Sequence, residues 1–280
     1  MIENVFAFCL PCWGPKRLLL SSECWETGHF MNHAEYKTMF DFEMSYWWFV
    51  ARRKLLCEVV ADLGKDPDHA TLLDVGCGTG LNCVVLSKFG KVFGTDSSSE
   101  ALKFSCSRQI ENLVLSRAED LQFPDDTFDV VTALDVLEHT DNDQTALTEM
   151  YRVTKPGGVL VVTVPAYGFL WSEHDEALQH RRRYSAHELR NKLTNAGFAV
   201  QRSTYFITLL FFPIFLLRIW QNLTKKSLEA KTSLVILPPW LNSLLVRLLD
   251  LERLYLRWSN LPFGVTILAT ARKPEAGSGQ

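Results

Sequence analysis

The chain has 280 residues, of which 47% are hydrophobic and 22% charged, so it carries enough apolar material for a hydrophobic core. Its net charge of −3 excludes the chain-wide basic field expected of a nucleic-acid-binding protein. The seven cysteines lack the spacing of a disulfide framework, and the CxxC pair Cys9 and Cys12 has no second pair at zinc-ribbon distance. Reduced thiols in a cytosolic protein are the simplest interpretation.

The N-terminal region has two parts with different patterns. Residues 1–30 show no sustained periodicity, and their apolar run is too short for a signal peptide, so we expect them to be poorly ordered and Met31 to be a natural start. Residues 31–70 are predicted to form a helical cap with a helix over 34–62. Its aromatic rings, Trp47 and Trp48 among them, are expected either to cap the sheet or to cover a pocket that contacts substrate.

From residue 71 onward, short apolar runs alternate with helical patterns, which is typical of βα units and a parallel sheet. Strands are predicted at 71–75, 91–95, 113–116, 128–134, 158–164, 198–204 and 264–271, and helices at 80–89, 99–110, 142–152 and 185–196. The predicted fold is α/β, a Rossmann-like doubly wound seven-stranded sheet whose last strand is antiparallel. Its core spans 71–204, an apolar helical insertion spans 205–262, and the last strand and a disordered tail fill 263–280.

The first predicted βα junction contains three glycines at alternate positions, Gly76, Gly78 and Gly80. Glycine suits a turn of unusual backbone angles that a ligand approaches closely. Because Leu81 follows, the spacing is GxGxG rather than the GxGxxG of dinucleotide-binding folds. The next strand ends at Asp96, whose carboxylate can accept hydrogen bonds from the ribose hydroxyls of a nucleoside or can cap the following helix.

Five ordered motifs in residues 71–164 resemble the class I S-adenosylmethionine methyltransferases, especially the ubiquinone-biosynthesis O-methyltransferase-like branch of methyltransferase types 11 and 12. The motifs are LDVGCGTG at 73–80, GTD at 94–96, AEDLQFPDDTFD at 118–129, DVLEH at 135–139 and KPGG at 155–158. The resemblance implies S-adenosylmethionine as cofactor.

The resemblance also assigns parts of the cofactor to particular residues. Around the methionine part it implies Asp74, Gly76, Cys77, Gly78 and Gly80, around the ribose Asp96 and Ser97, and around the adenine Ala118 and Glu119. Leu134 is expected beside the sulfonium, and Arg53 or its neighbour Arg52 at the cofactor carboxylate. Arg117 departs from the family, which often has Asp or Asn there, because a guanidinium cannot accept a hydrogen bond from adenine.

Two polar segments are expected at the carboxyl ends of the strands, where open α/β sheets bind ligands. The first contains Asp135, Glu138 and His139. His139 has the pKa range of a general base, which is needed if the acceptor is a hydroxyl. Asp135 and Glu138 could orient His139 or bind a divalent cation, although no metal site is assigned. Alternatively, Glu138 and His139 cap the following helix and support the loop.

The second polar segment, residues 171–184, follows the fifth strand. His174 or Asp175 is a candidate catalytic base, while His180, Arg182 and Tyr184 are candidates for binding substrate. The three arginines at 181–183 suit an anionic acceptor such as a phosphate. The alternative is a solvated loop ahead of a helix that Ser185 caps.

The apolar run at 205–220 is too short to span a bilayer, and residues 238–258 form an amphipathic pattern with three arginines. The pattern predicts peripheral membrane contact through 205–258 or packing against the protein itself or a second subunit, so oligomerisation stays open. A cytoplasmic protein, peripheral on the inner face of the membrane, fits this pattern.

The predicted function is methyl transfer to an oxygen of a small or lipid-linked acceptor, of envelope-glycan or quinone type. Two rival functions are a non-catalytic membrane-associated scaffold that retains the cofactor fold and a nicotinamide-dependent oxidoreductase, which the glycine spacing disfavours.

Overall fold

The computed structural model of the chain describes residues 33–224 and 237–275. Within them lies a seven-stranded sheet in the order β3-β2-β1-β4-β5-β7-β6. Its strands are β1 (Thr71–Val75), β2 (Lys91–Asp96), β3 (Leu113–Leu115), β4 (Phe128–Leu134), β5 (Thr154–Pro165), β6 (Ala199–Phe206) and β7 (Thr266–Arg272). The neighbours from β3 to β5 pair in parallel, whereas β7 runs antiparallel to both β5 and β6. The predicted fold class is confirmed.

The helices of the described residues follow the predicted βα alternation. They are α1 (His33–Phe42), α2 (Trp47–Asp62), α3 (Leu81–Leu86), α4 (Ser99–Ser107), α5 (Asp143–Val153), α6 (Glu173–Ala177), α7 (Ala186–Asn195), α8 (Phe211–Thr224) and α9 (Pro239–Leu256). Local sequence fixes several of their starts. Ser98 and Ser185 accept hydrogen bonds from the backbone N–H groups of Ala101 and Glu188, which confirms the predicted cap at Ser185.

Two hydrophobic clusters cover the two faces of the sheet. One contains residues of α5 and α7, and the other contains residues of α2 and α9. In α9 the buried side chains Leu249 and Leu256 belong to the second cluster, and Arg253 and Arg257 form ion pairs with Glu58 of α2. One face of the amphipathic helix therefore packs internally, in line with one of the two predicted alternatives for this segment.

The single predicted helix over 34–62 is wrong, because the chain breaks between α1 and α2. Glu43 lies in the break with a nearly buried carboxylate, which accepts a hydrogen bond of 2.6 Å from Thr79 and pairs with Arg108. Arg53 donates to the backbone carbonyl of Glu43 and, at 3.4 Å, to that of Met44. The contacts with Arg53 replace hydrogen bonds that these two carbonyls would make within a continuous helix.

Strand β6 continues to Phe206, beyond the predicted end at Thr204, because Tyr205 and Phe206 pair with β7. The expectations for residues 1–30, the start at Met31 and the tail beyond residue 275 fall outside the described residues. Across 33–224 and 237–275, no helix has both the length and the apolar character needed to cross a membrane.

Candidate functional site

A cavity of about 680 Å³ opens at the carboxyl ends of β1, β2 and β4. Its volume is typical of a small-molecule site. Eleven residues that were predicted to contact the cofactor, or to contact substrate from the aromatic helix, line it: Trp47, Trp48, Arg53, Gly76, Cys77, Gly78, Asp96, Ser97, Ala118, Glu119 and Leu134. Seven residues of the two polar segments that the sequence analysis singled out also line it: Asp135, Glu138, His139, His174, His180, Arg181 and Arg183. The fold thus brings together residues that lie more than 130 positions apart in the chain.

The glycine loop forms one wall of the cavity and requires glycine for two reasons. Gly76 has a φ of 67° and Gly78 a φ of 55°, in the left-handed region that side chains disfavour. A Cβ atom at Gly76 would also lie 2.5 Å from Cγ2 of Val136. Gly76 and Gly78 both line the cavity. Gly80 precedes α3 but does not line the cavity.

The carboxylate of Asp96 lies beside this loop in a fixed orientation. The backbone N–H of Gly78 donates to Oδ2 at 2.8 Å, and that of Ser98 donates to Oδ1 at 2.9 Å. Burial raises the pKa of Asp96, while these backbone donors oppose the rise. Each carboxylate oxygen retains acceptor capacity that a ligand in the cavity can use.

Asp74 lies outside the cavity lining, although it was predicted beside the cofactor. Its carboxyl is fully buried, accepts a hydrogen bond of 2.6 Å from Thr132 and contacts Sγ of Cys83 at 3.7 Å. Burial raises its pKa to about 6. The prediction of direct cofactor contact is therefore corrected, because the side chain bridges β1, β4 and α3 beneath the glycine loop.

Asp135 is engaged by the protein itself. It forms an ion pair with Arg52, and Thr163 donates to its Oδ1 at 3.1 Å. The guanidinium of Arg52 lies 4.3 Å from the ring centroid of Trp48. The carboxylate of Asp135 therefore orients Arg52 at the cavity wall, and because Asp135 also lines the cavity, its catalytic role stays a prediction. Arg53 has backbone carbonyl partners and also lines the cavity.

Three polar side chains, those of Glu138, His139 and His180, converge at one end of the cavity. Glu138 is fully buried, and among the described residues neither of its carboxylate oxygens has a hydrogen-bond partner. Burial, reinforced by Asp135, raises its pKa well above its ordinary value. The rings of His139 and His180 meet edge to face with centroids 4.8 Å apart.

His139 and His174 have the electrostatic character of neutral imidazoles. Burial, followed by the charge of His180, lowers the pKa of His139 to about 4. Burial, followed by the charge of Arg218, lowers the pKa of His174 to about 4 as well. Both rings are therefore uncharged at neutral pH and can accept a proton.

Asp175 is an ion-pairing residue rather than a base, and its predicted catalytic role is wrong. It is fully buried, lies outside the cavity lining and accepts hydrogen bonds from Nδ1 of His180 at 2.9 Å and Nε of Arg183 at 2.7 Å. Arg218 of α8 adds a third contact at 3.3 Å. Burial alone would raise the pKa of Asp175, but His180, Arg183 and Arg218 together hold it well below its ordinary value.

Two predicted substrate residues also lie outside the cavity lining, so these predictions are wrong. The hydroxyl of Tyr184, a fully buried residue, donates to Asp143 at 2.9 Å. Arg182 donates to the carbonyl of Thr140 at 3.0 Å and pairs with Asp143 at 3.1 Å. These polar partners turn both side chains away from the cavity.

The cavity has contributors that sequence reasoning did not assign to it. They are Tyr36 and Met39 of α1, Ile207, Ile214, Leu217 and Arg218 of the apolar insertion, and Val265 and Thr266 near β7. One signal was available, because Arg218 interrupts an otherwise apolar run.

Arg117, at which the sequence departs from the family pattern, lies at the predicted adenine edge of the cavity. Arg117 lines the cavity, but its guanidinium pairs with Asp141 at 2.7 Å. Glu119 accepts a hydrogen bond of 2.9 Å from the backbone N–H of Asp141. One acidic partner of Arg117 therefore comes from the loop after β4, and the other is Glu119, at 3.4 Å.

The family model of the methyltransferase domain matches residues 73–162. A ubiquinone biosynthesis O-methyltransferase of Mesorhizobium japonicum is 30% identical over 117 residues, which cover 38% of this chain and 47% of that relative. The chain thus matches about half the length of this curated relative. Residues 73–162 thus match a methyltransferase domain, which confirms the resemblance seen in the motifs.

Solved structures share the fold at low sequence identity. A Haloferax volcanii protein, described as a methyltransferase and solved in complex with the Trm112 methyltransferase activator, has a TM-score of 0.57 at 21% identity and covers 86% of this chain and 95% of its own. Phosphoethanolamine N-methyltransferase 2 of Haemonchus contortus, solved with S-adenosyl-L-methionine, has a TM-score of 0.56 at 18% identity and covers 88% of this chain and 61% of its own. These likenesses establish the class I methyltransferase fold.

Proposed function

We propose that this chain transfers a methyl group from S-adenosylmethionine to an oxygen of a lipid-like or lipid-linked acceptor. The main support for this cofactor is the carboxylate of Asp96. Two backbone N–H groups fix it at the glycine loop, where it faces the cavity. A carboxylate held in this way can accept hydrogen bonds from two ribose hydroxyls. The methyltransferase domain match and the S-adenosyl-L-methionine bound by the Haemonchus contortus enzyme support this choice.

The residues along the cavity fit the parts of this cofactor. Asp96 and Ser97 would hold the ribose, and Ala118 and Glu119 would border the adenine. The bound cofactor supplies a methyl group on a sulfonium, which we place beside Leu134. The chain's own task is then to position the acceptor in line with that methyl group and to remove its proton.

The opposite side of the cavity suits an acceptor with an apolar body and a polar head. Trp47, Trp48, Ile214 and Leu217 supply an aromatic and aliphatic wall. His139 and His174 are neutral bases at the polar end. An acceptor hydroxyl can therefore lose its proton to an imidazole while its oxygen attacks the methyl carbon.

The exposed side chains of α8 and α9 support peripheral contact with a membrane that contains such an acceptor. Their large exposed hydrophobic residues are Phe212, Leu216, Leu217, Ile219, Trp220, Trp240, Leu244, Leu251, Leu254 and Tyr255, and Trp258 follows α9. Apolar surface of this extent on neighbouring helices is typical of partner or membrane contact. Trp258 is 89% exposed, and tryptophan is favoured at membrane interfaces.

Binding of S-adenosylhomocysteine, measured by calorimetry, tests the cofactor assignment. Asp96→Asn should weaken binding on the order of 10- to 100-fold, because a hydrogen bond to a charged group contributes about 1.5–3 kcal/mol. Asp68→Asn, at an exposed carboxylate outside the cavity, is the matched control and should bind as the parent does. Failure of the folded parent to bind would refute the proposal.

Turnover separates the enzyme from its two rivals. Labelled S-adenosylmethionine should transfer its methyl group to an isoprenoid hydroquinone or an isoprenyl phosphate in detergent micelles. Cofactor binding with no transfer to either lipid or to a membrane lipid extract would favour the scaffold. Saturable quenching or enhancement of NADH fluorescence, with no response to S-adenosylhomocysteine, would favour the oxidoreductase.

A further inference from the structure

Arg218 interrupts the apolar helix α8 and places a cation at the cavity wall. Ile214, Leu217 and Arg218 all line the cavity, because residues three and four positions apart share a helix face. The side chain of Arg218 is only 12% exposed. Burial, reinforced by the charge of Arg183, lowers its pKa to about 10, so the guanidinium is still charged at neutral pH. A largely buried charge of this kind requires a partner.

Asp175, the carboxylate that contacts Arg218, is already occupied by other donors. Arg183 donates from Nε to Oδ1 at 2.7 Å and from Nη2 to Oδ2 at 3.1 Å. Nδ1 of His180 donates to Oδ1 at 2.9 Å, and the backbone N–H of Ser172 donates to Oδ2 at 2.9 Å. The contact from Arg218, at 3.3 Å, is longer than each of these. Because a carboxylate has about four acceptor positions, Asp175 is a poor partner for a further cation.

The group formed by Asp175, Arg183 and Arg218 has an excess of positive charge, since two guanidiniums share one carboxylate. Glu138 does not balance this excess. Burial and the charge of Asp135 raise the pKa of Glu138 well above its ordinary value, although Arg183 opposes the rise. The acceptor side of the cavity therefore has a buried cation that its own carboxylates leave undercompensated.

Part of the guanidinium of Arg218 is free to bind a ligand. Nη1 makes both of its contacts, with Asp175 and with the backbone carbonyl of Leu170. Within residues 35–220 and 237–275, no group accepts a hydrogen bond from Nε or Nη2. These two nitrogens form one edge of a planar fork, and such an edge matches two oxygens of a carboxylate or a phosphate.

We propose that the acceptor carries an anionic group, a phosphate or a carboxylate, beside its apolar body, and that Arg218 binds this group. The inference rests on the proposed function and deepens it, because it names the chemical class of the acceptor's head. Ile214 and Leu217 lie one helical turn from Arg218 and contact the apolar body. One face of α8 thus recognises both parts of the acceptor.

Anion binding at Arg218 also affects the candidate base His174, which precedes Asp175 in the chain and lines the same cavity. After burial, the charge of Arg218 is the largest cause of the lowered pKa of His174. A bound anion offsets that charge and so favours proton uptake by the imidazole. An acceptor with an anionic head therefore improves the base that removes its proton.

Binding of ligands that differ only in the head group tests the proposal. Geranyl phosphate, geranic acid and geraniol share an apolar body, whereas inorganic phosphate lacks it. Each is titrated by calorimetry into the full chain, with and without S-adenosylhomocysteine. We expect both anionic geranyl ligands to bind on the order of 10- to 100-fold more tightly than geraniol, because hydrogen bonds to charged groups are strong. Inorganic phosphate should bind more weakly than geranyl phosphate.

Two variants of Arg218 and a control assign the preference to this side chain. Arg218→Gln should abolish the preference for the anionic ligands, and Arg218→Lys should retain part of it, because the ammonium keeps the charge. Arg247→Gln, at an exposed arginine of α9 outside the cavity, should bind every ligand as the parent does. Thermal unfolding of each variant establishes that it is folded.

Four outcomes would overturn the proposal. The parent could bind geraniol as tightly as geranyl phosphate, or inorganic phosphate as tightly as geranyl phosphate. Arg218→Gln could retain the anion preference of the parent. It could also lose affinity equally for the anionic and neutral ligands, which would show that Arg218 only attaches α8 to the loop that contains Asp175.

A parallel titration with S-adenosylhomocysteine separates this inference from the proposed function. Arg218→Gln should bind S-adenosylhomocysteine as the parent does. A loss as large as the loss for geranyl phosphate would assign Arg218 to the cofactor carboxylate and refute the inference. If the cofactor product binds and the anion preference is absent, the proposed function stands alone. If the preference is present and S-adenosylhomocysteine does not bind, the anion site stands and the proposed function fails.

Discussion

The two sides of the cavity are built in different ways. The cofactor side consists of a glycine loop and a carboxylate at the ends of the adjacent strands β1 and β2, and its shape comes mainly from the backbone. The acceptor side consists of side chains from α2, the loops after β4 and β5, and α8. A local motif therefore specifies the first, whereas long-range ion pairs specify the second.

This contrast predicts that the two sides can be damaged separately. Asp175→Ala should cost about 3–5 kcal/mol of unfolding free energy, because it leaves Arg183 buried without its counter-charge. Denaturant unfolding measures the loss. Glu173→Ala, at the exposed neighbouring acid, is the control and should change stability little. If folded Asp175→Ala loses affinity for S-adenosylhomocysteine as strongly as Asp96→Asn does, the two sides are not independent.

The cofactor side should have its own pH dependence through Asp74. Its pKa is raised from 3.8 to about 6, so the fold favours the protonated carboxyl. The associated stability is fully present below pH 3.8 and is lost as the pH rises to about 6, a loss of about 3 kcal/mol. Asp74→Asn should remove this loss. The free energy of unfolding of the variant should therefore rise relative to that of the parent between pH 4 and about 7.

Unfolding free energies of parent and variant across this pH range measure the effect. Asp129→Asn is a control whose pH dependence should have the opposite sign. The pKa of Asp129 is lowered, because its ion pair with Lys155 and hydrogen bonds from Thr71 outweigh burial. Its stabilisation is lost as the pH falls. An Asp74→Asn difference that stays constant with pH would contradict the burial of a proton there.

The glycine loop should respond to a single methyl group. Gly76→Ala places a Cβ 2.5 Å from Val136 at a φ of 67°, so we expect a cost of about 1–3 kcal/mol and a marked loss of S-adenosylhomocysteine affinity. Gly168→Ala is the matched control, because no atom lies within 4 Å of its added Cβ. Equal affinities of the two variants, by calorimetry, would show that loop geometry does not control the cofactor side.

The smallest expected effect concerns the attachment of α9. Glu58 pairs with Arg253 and Arg257, and these contacts lower its pKa despite partial burial. Glu58→Gln should destabilise the protein by about 0.5–1.5 kcal/mol. Hydrogen exchange should rise in α9 before it rises in the sheet. Glu111→Gln, at an exposed acid, is the control, and a uniform rise along the chain would contradict a local role.

Predictions from the sequence were more accurate for the cofactor side of the cavity than for the acceptor side. Strands β1 and β4 occur at the predicted residues, because each is a short apolar run bounded by turn residues. Nine of the predicted cofactor residues line the cavity, since a motif in a βα unit has a fixed geometry. Asp74 and Gly80 are the exceptions. The resemblance placed Asp74 beside the cofactor, but its hydrogen-bond partner Thr132 comes from another strand and holds it beneath the loop.

On the acceptor side, residue type was a poorer guide than position. Asp175, Arg182 and Tyr184 had the chemistry of site residues, but buried partners take up their polar groups. Arg218 lines the site, although the pattern of its insertion predicted only membrane contact or packing. No local sequence pattern specifies which of several charged side chains will form ion pairs with one another.

The sequence by itself determined the α/β class, the seven-stranded sheet with an antiparallel last strand, and the glycine loop with Asp96. These features depend on periodicity and on backbone conformations that few residues can adopt. Only the tertiary structure decided which histidines and arginines face the cavity, that Glu138 is buried without a partner, and that α9 packs on α2. The physical reason is that side-chain burial and ion pairing depend on segments far apart in the chain, whereas the glycine loop depends on its own residues.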